Sequence, residues 1–256
     1  MNSTVRPALN RGFLREALFR LIAIDSSNPT LTPGAPGEED LANFILAELA
    51  RIGLDPARQE TAEPHRPNVV ATLPGRSADA PSLMLLAHMD TVGVEGMSAP
   101  FLPWEQHGQV YGRGAQDMKG SIAVMLALAE SLITAGHRPE GDLTLAFVSD
   151  EEADSIGAQR LVEDPISEQT VVLEPTGMEI AVAHRGFAWY TVTAEGRAAH
   201  GSRWQEGIDA ISCMGVFLAA LHEHASELVR RTPSTTAGPP SIHASTITGG
   251  TEISIY

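Results

Sequence analysis

Apolar residues recur at helical spacing near the amino terminus. Phe13, Leu14, Ala17, Leu18, Leu21 and Ile22 line one face, so a helix is expected over 10–24. Arg11, Arg15, Glu16 and Arg20 interrupt the run, which is not the composition of a secretory leader. The polar turn Asp25-Ser26-Ser27-Asn28-Pro29 and a Pro/Gly-rich loop to Gly37 follow. Leu41, Phe44, Ile45 and Leu49 mark a second helix, led by Glu38-Glu39-Asp40, which suit a helix amino end. A short strand is expected over 68–73 and an apolar one over 82–87, the latter as in a sheet covered on both faces. A strongly apolar helix over 121–134 comes next, then a strand over 142–149 alternating at Leu143, Leu145 and Phe147. A short helix over 155–163 and a strand over 170–173 complete the series. This alternation predicts a layered α/β domain with a mostly parallel central sheet, occupying residues 1–185.

The pattern changes after Arg185. A strand over 187–195 leads to a helix over 208–230, then to strands over 241–248 and 252–256 joined by Gly249-Gly250. Strand-helix-strand-strand order predicts a small α+β domain over 186–256, incomplete at its carboxyl end.

Composition narrows the function classes. Of 256 residues, 32 are acidic and 17 basic, a net charge of -15, which argues against nucleic acid or an anionic membrane as a partner. No apolar run approaches the roughly 20 residues of a membrane span. One cysteine, Cys213, leaves no intrachain disulfide and fits a reducing, cytoplasmic setting; it is expected as a small buried residue on a helix.

The chemistry gathers where apolar segments end. Leu85-Leu86-Ala87 runs into His88-Met89-Asp90, and on a strand His88 and Asp90 face one side. Asp117 stands just before the apolar helix, Glu151 and Glu152 follow the strand ending at Val148, and Glu174 follows Val171-Val172. Taken singly these are ordinary caps, turn residues or a solvated helix start. Their joint placement favours a metal site, because strand ends converge in a parallel sheet. Histidine with carboxylates suits zinc, cobalt or manganese at a hydrolytic centre.

Other sites fail on spacing. Gly120 is too far from Gly112 and Gly114 for a phosphate loop. His222 and His224 are two apart, so a helix points them about 200° from each other. Cys213 has no nucleophile context, and His65, His107, His137, His184 and His243 stand alone.

The segments His88-Met89-Asp90-Thr91-Val92, Gly112-Arg113-Gly114 through Asp117-Met118-Lys119-Gly120, Glu151-Glu152, Glu174-Pro175-Thr176 and Gly196-Arg197-Ala198-Ala199-His200-Gly201-Ser202 occur in one order. As a set they resemble the family of acetylornithine deacetylase, succinyl-diaminopimelate desuccinylase, aminoacylase and glutamate carboxypeptidase. The resemblance implies two divalent metals, zinc first, with cobalt or manganese as alternatives. It implies that His88 and Glu174 bind the first metal, Glu152 the second, and Asp117 both. Asp90 would hold the His88 ring, and Glu151 would be the general base and acid. His200 would reach a partner subunit's active site from a small domain that also forms a homodimer. A cis peptide after Asp117 is implied too.

The implied activity is hydrolysis of an N-acyl amino acid or small peptide. A carboxypeptidase or dipeptidase is the alternative, and a non-catalytic relative that binds metal or dimerises is a further one. Arg185, Arg197 or Arg203 would be available for a substrate carboxylate. The family's last second-metal histidine lies in a carboxyl-terminal segment that has no counterpart before Tyr256. The chain is therefore expected to be a fragment, inactive by itself.

Overall fold

The amphipathic amino-terminal run forms helix α1, Arg11–Ala23, and Asn10 caps it by accepting from the Phe13 N–H. The computed structural model describes residues 8–164, 167–231 and 237–255. The chain divides into two units, Met1–Met178 and Glu179–Tyr256.

In the first unit, α2 spans Glu39–Ile52 and ends on Gly53, whose φ of 105° suits a residue without a Cβ. Helix α3 spans Lys119–Thr134. Strands β1 (Ala57–Gln59), β2 (Asn68–Leu73), β3 (Leu83–His88), β6 (Leu143–Val148) and β7 (Gln169–Val172) form one sheet in the order β1-β2-β6-β3-β7. The pairs β3–β6 and β3–β7 are parallel, while β2 opposes both β1 and β6. Four of the five strands thus share one direction, giving the mostly parallel sheet expected.

Both faces of this sheet are covered, which explains its apolar strands. Ala87, Leu143, Leu145 and Phe147 join Leu21, Ile45, Ile122 and Leu126 from α1, α2 and α3 in the main core. On the other face Met84, Ala146 and Val148 pack with Leu161 of α4, Ile156–Leu161. The connection from β3 to β6 contains α3, and that from β6 to β7 contains α4. The chain therefore crosses one face and then the other, leaving the carboxyl ends of β6, β3 and β7 side by side at a topological switch point.

Three short strands were not expected. Strand β1 sits at the sheet edge, and β4 (Trp104–Gln106) pairs with β5 (Gln109–Tyr111) in a hairpin. Its turn is His107-Gly108, both at positive φ (53° and 76°), the geometry that two-residue hairpins favour. Trp104 and Tyr111 stack across the hairpin at 4.0 Å.

The second unit departs from expectation. It contains a 3-10 helix, Gly201–Glu206, and α5, Ala210–Arg230, whose cap Asp209 accepts from the Ser212 N–H. The strands expected over 187–195 and 241–248 are not formed. Near 252–256 there is a turn and a single bridge, His200 to Ile255, and Tyr256 lies outside the described residues. Alternation selects a face, but a strand also needs a neighbour to complete its hydrogen bonds. Phe187, Trp189 and Tyr190 remain exposed. Cys213 lies on α5 as expected but is exposed rather than buried. Among the described residues no helix is long and apolar enough to cross a membrane.

Candidate metal centre

His88 closes β3 and is 1% exposed, at the floor of the site. Around its Nε2 stand Asp117 Oδ1 at 3.0 Å, Glu174 Oε1 at 3.8 Å and Glu151 Oε2 at 3.9 Å. These carboxylate side chains keep from about a third to just over half of their surface open, so a buried imidazole lies beneath an accessible acidic rim. Ligand atoms of His88, Glu151 and Glu174 lie within 4.8 Å of one another, as do those of His88, Asp117 and Glu152.

Each side chain is placed by the end of an element. Asp117 precedes α3, and the Asp117–Met118 peptide is cis, as the resemblance implied. Met118 is buried, with its sulfur 3.2 Å from the His88 N–H. Glu151 and Glu152 follow β6, and Glu174 follows β7. The Ser121 hydroxyl at the start of α3 donates to the Leu173 carbonyl at 2.6 Å, tying the Glu174 segment to that helix.

Asp90 is fully buried, and its carboxylate does more than face a ring. Oδ1 lies 3.5 Å from His88 Nδ1, whereas the Asp90 backbone carbonyl is nearer, at 3.0 Å. The shorter contact fixes the ring most directly, with its Nδ1–H toward that carbonyl and Nε2 toward the rim. The carboxylate oxygens also accept the N–H groups of Glu151 and Glu152, each at 3.0 Å, and the Asn28 amide at 2.8 Å.

The electrostatics call for a cation. Burial opposes charge on His88, but Asp117, Asp90 and Glu151 outweigh it and push its pKa up to about 11. Burial pushes Glu152 up to about 7; His88 lowers it, and Asp117, Asp90 and Glu151 add to the rise. Glu174 is raised for the same reasons, burial first. A crowded set of oxygen donors around one imidazole is short of positive charge, and a divalent metal fits that deficit. His88, Asp117, Glu151, Glu152 and Glu174 are the residues able to hold it.

The structure thus brings together six of the seven expected site residues, with Glu151 grouped beside Glu174 and Glu152 beside Asp117. The seventh, His200, belongs to the second unit. Its Nδ1 accepts from the Ser202 N–H at 3.2 Å, so a neutral ring carries its proton on Nε2. Arg197, considered for a substrate carboxylate, donates from Nε to the Glu206 carbonyl at 2.7 Å.

Sequence reasoning missed the support behind the rim. Asn28, Glu38, Arg66 and Asp150 are buried and connected beneath Glu151-Glu152. Glu38 reads as a helix-start acid and Asn28 as a turn residue, and neither role announces burial. Asp150, adjacent to Glu151, was the one available signal.

Known proteins resemble this chain over most of its length. The family model described as peptidase family M20/M25/M40 matches residues 84–256. A peptidase M20 domain-containing protein of Schizosaccharomyces pombe is 31% identical over 240 residues, covering 92% of this chain and 57% of that protein. Carboxypeptidase G2 of a Pseudomonas species is 30% identical over 225 residues, covering 85% of this chain and 50% of the relative. The chain therefore spans about half the length of these relatives. A tripeptidase structure from Staphylococcus aureus superposes with a TM-score of 0.64 at 21% identity, over 96% of this chain and 63% of that one, a likeness of fold. By its motifs, its fold and the extent of the family match, the chain belongs to peptidase family M20/M25/M40.

Proposed function

We propose that the protein carrying this chain is a metal-dependent hydrolase of the amide bond of an N-acyl amino acid or small peptide. The observation that carries this reading is the buried His88 shared by two three-residue groups of ligand atoms. His88, Asp117, Glu152 and Glu174 would hold two divalent ions, zinc first, with cobalt or manganese as alternatives. When bound, such ions acidify a water and polarise the scissile carbonyl. Glu151, half-exposed at the rim, would take the proton of the attacking water and return it to the leaving amine. Asp90 would hold Glu151 and Glu152 by their N–H groups. His200, contributed by a second copy of the chain, would donate its Nε2–H to the developing oxyanion.

The second unit would form the homodimer interface, an assignment supported by the exposed Ile211 and Val216 on α5. The lone cysteine supports a cytoplasmic setting. Carboxypeptidase activity is a second reading, favoured by the similarity to carboxypeptidase G2.

The test is a hydrolysis panel on the full natural chain, loaded with zinc or cobalt. It would include acetylornithine, succinyl-diaminopimelate, dipeptides and acyl-glutamates. Metal-dependent cleavage of at least one class is expected. Metal-independent cleavage, or tight metal binding with no cleavage of any class, would overturn the proposal.

A further inference from the structure

Asp150 has no part in the chemistry above, yet its carboxylate is as heavily bonded as that of Asp90. It is fully buried and sits at φ 64°, a left-handed conformation uncommon for a residue with a side chain. Its Oδ1 accepts from Arg66 Nη2 at 2.8 Å and from Asn28 Nδ2 at 2.9 Å. Its Oδ2 accepts the N–H groups of Asp154 at 3.1 Å and Ile156 at 3.4 Å. Its own N–H donates to Glu38 Oε1 at 3.0 Å, and its carbonyl accepts from the Ser155 N–H at 2.6 Å.

The partners are themselves fixed. Glu38 is fully buried and receives Arg66 through both Nε and Nη2, at 2.8 and 2.7 Å. The two donor hydrogens of the Asn28 amide are divided between Asp150 and Asp90. Asp90 in turn accepts the N–H groups of Glu151 and Glu152. The turn carrying the acidic pair is thus gripped from below by Asp150 and from the side by Asp90, with Asn28 coupling the two grips.

We infer that Asp150 is a positioning residue whose clamp by Arg66, Asn28 and Glu38 aims Glu151 and Glu152 at the metal centre. The inference rests on the proposed hydrolytic reading. Its geometric reason is that an over-determined, left-handed turn leaves one direction for the two side chains that follow it. A site held only by the intrinsic preference of the loop would not need a buried ion pair and a shared amide.

The test compares Asp150→Gly, Asp150→Asn and Asn28→Ala in the full natural chain. Glycine keeps the left-handed backbone but removes the clamp, whereas asparagine keeps the shape and part of the bonding. Zinc affinity is read by chelator competition and turnover by kcat and KM separately. The expected result for Asp150→Gly is a loss of about 10–100-fold in zinc affinity and in kcat, with KM little changed and Asp150→Asn recovering much of both. If the Asp150 variants do not fold, Asn28→Ala provides the same readouts with the Arg66–Asp150 contact intact. Parental zinc affinity and kcat in folded Asp150→Gly, or in folded Asn28→Ala, would overturn the inference. Should the parent bind zinc but cleave no amide, the hydrolytic reading fails while the affinity comparison still decides whether Asp150 positions the ligands.

Discussion

At His88 burial and charge act in opposite directions, and charge wins. A buried imidazole ordinarily loses its proton, yet here the surrounding carboxylates hold it well above its usual range, at about 11. A metal at Nε2 would displace that proton, and it is position that should make this residue matter more to metal binding than any single carboxylate. Both candidate ligand groups contain it. His88→Ala should therefore abolish tight zinc binding, whereas Glu174→Ala should weaken it only in part; isothermal titration of the metal-stripped protein distinguishes the two. Equal losses would show that His88 matters no more to metal binding than Glu174 does. The ligand-type residues were legible in the sequence because each borders an apolar segment, where a polar side chain stands out. Arg66, Asn28 and Glu38 were not, because they lie in polar surroundings along the chain and only folding buries them.

At the scale of elements, the sequence announces what is long and periodic. Helices α1, α2, α3 and α5 and strands β2, β3 and β6 lie close to the ranges their apolar spacing predicts. Strand β1 and the hairpin β4–β5, three residues each, are too short for alternation to register. In the second unit alternation is present without a ladder, since pairing partners are not encoded in a strand's own pattern. Two predictions belong to this scale. Asn10→Ala removes the α1 cap and should lower stability by about 1 kcal/mol in urea denaturation, without changing zinc affinity. Gly157→Ala should be worse. Its new Cβ would meet the Ser149 nitrogen at 2.4 Å and the Asn68 carboxamide oxygen at 2.5 Å, directly behind the acidic loop. A loss of about 1–3 kcal/mol, read by the same denaturation, is expected from such overpacking. Parental stability in either variant would contradict the packing described.

At the largest scale, the sheet and helices of the first unit form a packed base, and the candidate metal ligands stand at one end of it. Metal binding and stability should therefore be linked. An ion that binds only the folded site at a hundred times its Kd adds about 2.7 kcal/mol. Stripping the protein with a chelator should lower its melting temperature, and zinc should restore it; a melting temperature indifferent to zinc would contradict the linkage. The most direct test of the central claim lies at Glu151, in the full natural chain loaded with zinc. Glu151→Gln keeps the shape of the side chain and removes its ability to accept a proton. The account predicts near-parental zinc binding with kcat reduced by about 10²–10⁴-fold, the range of general acid–base catalysis. Near-parental turnover in that variant would contradict it.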